Sequence, residues 1–421
     1  MTFDRWTRRK VRDFAVRSKV VNSEGALLPP LSITKGRGVV LQSEKYKKQI
    51  ATDLRKYIIA RRGQFAFDPM SLYYGAIGQI VSIEVGLVSP DYVVFDVDDT
   101  VDKKFMNYLF RSPLQVAKYE KVAETGNQFG KRRRVYWSVF EDLEVALPPL
   151  DQQQEIATVL SSVDEAIEAT QAVIKQTQTV EKAVMAELLT RGLPNHHIRF
   201  KPLSDGWRIG RVEPNINEIP ESWELVSILS VARLESGHTP SRRHPEYWAG
   251  TIPWISLHDS KSLDEPELSE TAQTIGPLGI ANSSARLLPK GSVVFSRTAT
   301  VGKVTIMGRE MATSQDFANY ICEDRLYNKY LRHLLRHMQT EWSRLMSGST
   351  HQTIYMPVFR DLKILLPPIE EQRKIAAVAD VIQDRLSAES QQLLALMNLK
   401  SALASVLLNG DVRINMEADA A

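Results

Sequence analysis

One stretch of this chain occurs twice. Phe140-Glu-Asp-Leu-Glu-Val-Ala-Leu-Pro-Pro-Leu-Asp-Gln-Gln-Gln-Glu-Ile-Ala157 returns as Phe359-Arg-Asp-Leu-Lys-Ile-Leu-Leu-Pro-Pro-Ile-Glu-Glu-Gln-Arg-Lys-Ile-Ala376, at a constant offset of 219 residues. Identities include Phe140/Phe359, Asp142/Asp361, Leu147/Leu366, both prolines, Gln153/Gln372 and Ile156/Ile375. The offset runs without a gap to Leu188-Leu189 against Leu407-Leu408, and back to Tyr136 against Tyr355. A run free of insertions suits a helix, where one added residue would rotate the apolar face. Upstream the match is weaker. Gly63–Phe67 resembles Gly291–Phe295, Lys104–Arg111 resembles Lys329–Arg336, and Gly78 is set against Gly302. Two copies of one architecture follow.

Each Leu-Pro-Pro signals the start of a helix, since proline needs no N–H at that entry. Asp151 is the expected cap, with Gln154 as its capping-box partner; Glu370 and Glu371 put negative charge at the second start. Apolar residues then recur at alternating spacings of three and four, a coiled-coil seam. In the first copy it comprises Ile156, Leu160, Val163, Ile167, Ile174, Val184 and Leu188. In the second it comprises Ile375, Ile382, Leu386, Leu393, Leu396, Leu403 and Leu407. Both copies break the pattern at the same place, Thr170 and Glu389, and both shift it near Val180 and Leu399. Each helix spans about 39 residues, roughly 58 Å at 1.5 Å per residue, and stops near Gly192 or Gly410. So narrow and long a stripe needs a partner, and the nearest is the other copy.

The expected fold is α+β. Two α/β recognition domains, residues 1–147 and 220–366, alternate with two long helices, residues 148–192 and 367–409. The helices form an antiparallel coiled coil, so that the internal repeat has pseudo-twofold symmetry. Residues 193–219 read as a loop-like connector and 410–421 as a tail. A chain of 421 residues allows this organisation at roughly 100–200 residues per domain.

Each domain ends in a polar loop: Thr125-Gly-Asn-Gln-Phe-Gly-Lys-Arg-Arg-Arg134 in the first, Ser347-Gly-Ser-Thr-His-Gln352 in the second. Asn127, Gln128, Ser349, Thr350, His351 and Gln352 are the residue types that read base edges, while Lys131, Arg132, Arg133 and Arg134 neutralise phosphates. Further DNA-contact candidates are Lys35 and Arg37 around Gly36, Tyr73 and Tyr74 before Gly75, Arg242 and Arg243 after Pro240, and Arg297 and Lys303 in a glycine-containing hairpin. For each of these a solvated surface role is the competing reading.

With 53 basic and 50 acidic residues the net charge is only +3. A polyanion-binding surface must therefore come from uneven placement of charge. The single cysteine, Cys322, allows no internal disulfide, which suits a reducing compartment; it reads as a small apolar strand residue. No run of about 18 apolar residues and no signal peptide is evident, so a cytoplasmic protein away from membranes is expected. No Walker A loop occurs, because Gly302-Lys303 lacks the upstream glycine. No glycine-rich loop follows a strand to cradle S-adenosylmethionine. Asp96-Val-Asp-Asp99 reads as a solvated strand end, and His196-His197 as an exposed pair without zinc spacing. No catalytic residue and no metal site is assigned.

The motif Leu-Pro-Pro-[Leu/Ile]-x-x-Gln-x-x-Ile-Ala resembles that of the specificity subunit of type I restriction–modification systems. So do Pro220-Glu-Ser-Trp-Glu-Leu225, Gly237-His-Thr-Pro240, Ser296-Arg297-Thr298, Gly302 and Ser314-Gln315. The first half departs from the pattern, with Arg5-Trp6 at best a remnant of the Trp-Glu opening. The resemblance implies that each domain reads one half of a split, asymmetric target in double-stranded DNA. It implies that the helices set the spacing and bind two methyltransferase subunits, with restriction/translocase subunits beside them. The chain itself would be non-catalytic and hold no cofactor; S-adenosylmethionine, ATP and Mg2+ would sit on its partners. Two other readings stay open: a specificity module of another modification system, and a coiled-coil scaffold without DNA binding.

Overall fold

The computed structural model describes residues 6–45, 53–125, 133–203, 207–346 and 352–411. The candidates Asn127, Gln128, Lys131, Arg132, Ser349, Thr350 and His351 lie outside them. The chain divides into a first unit, Met1–Gln171 with Gln391–Ala421, and a second, Ala172–Ser390. Both divisions fall inside a long helix, Leu150–Thr190 or Ile369–Asn409. They fall next to Thr170 and Glu389, where the seam pattern breaks.

The first unit is built on an antiparallel sheet in the order Ala15–Ser18, Val93–Val97, Phe65–Phe67, Ile77–Gln79. Phe65, Phe67 and Phe95 bury one aromatic cluster with Phe110 and Phe140. Phe110 comes from the helix Lys103–Arg111, which starts where the Asp102 carboxylate accepts a hydrogen bond from Phe105 N, an N-cap.

The second unit repeats that frame. Its sheet runs Ala232–Ser236, Phe317–Cys322, Val293–Ser296, Val304–Met307, with Glu267–Leu268 added at the edge. The registers fix the equivalences. Phe67 faces Ile77 as Phe295 faces Val304, so Gly302 matches Gly75 and not Gly78. The two matched glycines have φ of 93° and 88°, a left-handed turn conformation that favours glycine. Gly78 is a glycine for another reason: a Cβ there would meet Gly38 Cα at 2.9 Å. The opening strands match as well. Thr7–Lys10 pairs with Glu144–Leu147 as Glu224–Ser227 pairs with Lys363–Leu366. Trp6 therefore occupies the place of Trp223, and the remnant is a true counterpart.

The repeated glutamine has a structural role that explains its place in the motif. Gln153 accepts a hydrogen bond from Asp102 N (2.9 Å) and donates to Pro148 O (2.9 Å). Gln372 accepts from Tyr327 N (2.8 Å) and donates to Pro367 O (2.8 Å) and Arg325 O (2.9 Å). In each unit a buried amide thus fastens the start of the domain helix to the start of the long helix. It satisfies backbone groups that burial would leave orphaned.

The long helices pair in opposite directions within each unit. In the first, Ile156, Ala157 and Leu160 near one helix start share a core with Leu403, Leu407 and Leu408 near the other helix end. In the second, Met185, Leu188 and Leu189 share a core with Ile375, Ala376 and Ala379. Lys400 pairs with Asp164, which also accepts from Tyr108. Val163, Ile167, Ile174, Val184, Ile382, Leu386, Leu393 and Leu396 are half-buried. Val180 and Leu399 are about half exposed and lie off the seam. Towards the helix ends, adjacent pairs such as Leu188-Leu189 widen the stripe, as on a helix that faces a globular core.

Three further expectations change. The first long helix begins at Leu150, so Asp151 lies within the first turn and supplies charge there, not a cap. The connector is not bare loop: Phe200–Pro202 pairs with Glu218–Pro220, and Trp207, Val212 and Ile216 are buried in the second core. His196 is exposed, but His197 packs beside Trp223; His197 Nε2 lies 2.6 Å from Glu371 Oε1, and Trp223 Nε1 donates to Glu371 Oε2 at 2.9 Å. The second long helix meets the length and composition of a membrane span, at mean hydropathy 1.2; its seam leucines and interspersed alanines raise that value. Cys322 sits in a strand, and burial pushes its thiol up to about 12, which makes it a poor nucleophile.

Candidate nucleic-acid interface

In the second unit, separate stretches of sequence converge on one polar surface. The strand Val293–Ser296 ends in a turn, Arg297–Gly302, whose Ala299 has a φ of 59°. A non-glycine residue there is strained, and such strain gathers at functional sites. Ala299 N donates to Gln352 O, and Thr298 bridges Thr353. The end of the second polar loop is thereby held against this turn. Arg297 donates to Gln315 O (3.0 and 2.6 Å) and Ile354 O (3.3 Å). Burial pulls its guanidinium below the usual range. Thr239 donates to Gln315 Oε1 at 2.7 Å. A Cβ on Gly237 would overlap Thr313 and Ser314, the closest backbone approach in this region. Gly237-His-Thr, Ser296-Arg-Thr, Ser314-Gln and Gln352 are thus one structural feature.

Beside it stands an aromatic platform. The Arg242 guanidinium lies 4.0 Å over the Trp248 ring and 5.9 Å from that of Trp254. It donates to Gln273 Oε1 at 2.9 Å. Trp254 Nε1 donates to His238 O, which ties the platform to the converged surface. The stacked arginine is exposed, so its remaining N–H groups face solvent in a preset orientation, the form in which arginine reads guanine or phosphate. Arg243 is exposed next to it.

The first unit uses the same frame with different side chains. Val135 N donates to Pro69 O as Ile354 N donates to Arg297 O, both at 2.9 Å. The rings of Tyr73 and Tyr74 lie 4.1 Å apart, tilted by 38°, in the turn before Gly75. Arg133 lies 5.4 Å over the Tyr73 ring and donates to Glu120 O. Arg134 approaches Met70 Sδ at 3.9 Å. The structure therefore brings Tyr73, Tyr74, Arg133 and Arg134 together.

Other candidates lie apart or are already engaged. Lys35 and Arg37 occupy the turn between Leu31–Thr34 and Gly38–Leu41, where Arg37 pairs with Glu44. Among the described residues no hydrogen bond or ion pair joins them to the tyrosine cluster. Lys303 pairs with Asp264 at 2.7 Å and donates to Ser260 O. Its charge is thus spent within the protein, and Arg297 likewise positions the turn. Trp248 and Gln273 were not among the residues the sequence picked out. Two tryptophans within seven residues, just after Arg242-Arg243, were a signal for the platform.

The model of the type I restriction modification DNA specificity domain matches residues 18–178 and 220–396. The MjaIX specificity subunit of Methanocaldococcus jannaschii is 29% identical over 188 residues, 44% of this chain and 44% of that protein. The MjaVIII specificity subunit of the same organism is 25% identical over 287 residues, 66% of this chain and 64% of that one. The HindI specificity subunit of Haemophilus influenzae is 24% identical over 201 residues, 46% and 42% of the two chains. The matches span from under half to under two thirds of these relatives' lengths. In fold the chain is similar to the type I S subunit from M. genitalium, with TM-score 0.55 and 13% identity over 99% of this chain and 98% of that one. It is also similar to a chain solved in a type I R-M system, with TM-score 0.57 and 17% identity over 98% and 100%. With one matched segment for each copy of its internal repeat, the chain belongs to the type I restriction–modification DNA specificity family.

Proposed function

We propose that this chain reads a bipartite, asymmetric sequence in double-stranded DNA for a type I restriction–modification complex and performs no chemistry itself. One observation carries the reading. A single recognition frame occurs twice, and the side chains it presents differ: Tyr73, Tyr74 and Arg133 in one copy, Thr239, Arg242, Gln315 and Gln352 in the other. Different donors and acceptors on equivalent frames select different half-sequences. Phosphate contacts would set position, and groups reaching the groove would set sequence. Two readers in one chain gain on the second binding event when geometry permits both.

The long helices are proposed to set the half-site spacing and to dock two methyltransferase subunits, with restriction/translocase subunits joining that assembly in the cytoplasm. On the second long helix Val378 and Val381, and separately Leu394 and Met397, are exposed apolar side chains, which supports uncovered protein-binding patches. S-adenosylmethionine, ATP and Mg2+ are assigned to the partner subunits. The test compares adenine methylation across a host genome with and without this gene. The expected result is loss of one split, non-palindromic methylated sequence. A methylation map unchanged by deletion refutes the proposal.

A further inference from the structure

We propose that a cleft in the first unit holds one phosphodiester group of the target DNA between Arg17 and Arg134. This inference rests on the DNA-reading function above. The internal repeat supplies its main support, because the same place is closed in the second unit. There, Arg297 fills it and spends its guanidinium on Gln315 O and Ile354 O. The sheet registers equate Arg297 with Pro69, Gln315-Asp316 with Pro90-Asp91, and Leu234 with Arg17. Proline brings no guanidinium, so the first unit keeps an open cleft of about 470 Å³, lined by Arg17, Met70, Asp91, Arg134, Tyr136 and Trp137.

The cleft is built for an anion. Arg17 Nε is buried without a hydrogen-bond partner. A buried donor left unmade costs about 1–3 kcal/mol, so the protein leaves the Arg17 guanidinium unanchored and able to turn toward an acceptor that enters the cleft it lines. Among the described residues no carboxylate pairs with Arg17 or Arg134; the neighbour of Arg134 is the Met70 sulfur. Two guanidiniums and the one Asp91 carboxylate leave a single positive charge. That balance suits a singly charged phosphodiester and disfavours a free phosphate dianion. Tyr136 is exposed and Trp137 half-buried at the same cleft, so their rings give the adjoining sugar an apolar wall. The volume lies within the roughly 300–1,000 Å³ of small-ligand clefts and admits one nucleotide unit. The second copy, with Leu234 in place of Arg17, Arg297 in place of Pro69 and Thr353 in place of Arg134, offers no such clamp. The two halves therefore grip the DNA backbone unequally.

The test uses the full chain assembled with its methyltransferase partner, on duplexes that do and do not contain the target. The variants are Arg17→Leu, which places here the residue type that the second copy carries, and Arg134→Ala. Each is expected to bind about ten- to a hundredfold more weakly, the range of a lost charge-assisted hydrogen bond. The loss should be equal on target and non-target DNA. The slope of log K against log salt should flatten by about 0.9 for the one phosphate released, and the methylated sequence should stay the same. Unchanged affinity and slope in both variants, with the wild type still reading its split target, refute the clamp and leave the DNA function standing. An altered methylated sequence also refutes it, since Arg17 would then read bases. A wild-type complex with no affinity for DNA refutes both.

Discussion

Replacing Gln372 with leucine tests whether the repeated motif is a structural clamp. The side chain is fully buried and makes three hydrogen bonds, to Tyr327 N, Arg325 O and Pro367 O. Leucine is close in volume, so packing is nearly conserved and the loss is polar. Taking about 1 kcal/mol for each hydrogen bond, and more for the orphaned N–H, the cost is about 3–4 kcal/mol. At roughly 2–4 °C per kcal/mol for a unit of this size, that is about 6–16 °C in Tm. Gln153 makes two such bonds, so Gln153→Leu should cost about 1 kcal/mol less. Tryptophan fluorescence during urea unfolding follows the second unit, which holds five of the seven tryptophans. Hydrogen exchange at the Tyr327 and Asp102 amides reports each clamp locally. Gln391→Leu, at an exposed position of the second long helix, serves as the control. A Gln372→Leu cost no larger than that of the control, or a Gln153→Leu cost exceeding it, refutes the clamp.

Three more outcomes are expected. Lysine at both Leu393 and Leu396, half-buried seam positions, should remove about 1–2 kcal/mol of burial per site and abolish complex assembly in size-exclusion chromatography; assembly with unchanged target spacing counts against the helices as spacer. Arg242→Ala should weaken binding about ten- to a hundredfold by removing one oriented guanidinium, and relax the methylated sequence in one half-site only; changes in both halves contradict a local reader. Burial holds the His333 imidazole below its usual range although it faces Asp380, with Arg332 and Arg336 adding to the effect. The unfolded chain then binds the extra proton as pH falls below about 6.5, so stability drops there. Thermal melts of the second unit from pH 7.5 to 5.5 should show that loss, reduced in His333→Gln; equal losses in both proteins contradict it.

The repeat, the two helices and the seam between them could be read from the order of residues alone. These are legible because helices are local: periodicity and Leu-Pro-Pro entries act over a few residues, and a gap-free offset preserves them. The sequence also marked the motif glutamine, Gly237-His-Thr and Ser314-Gln as belonging to one pattern, without saying what each does. Tertiary structure decided that. Gln372 acts across 45 residues, Gln315 joins Thr239 to Arg297, and neither distance leaves a period in the chain. The same holds for the corrections. Gly302 pairs with Gly75, and not Gly78, because sheet register sets the match, while Lys303 is claimed by Asp264 through folding alone. The cleft at Arg17 depends on a proline standing where the other copy has an arginine. That difference acquires a physical meaning only when the two sheets are laid in register.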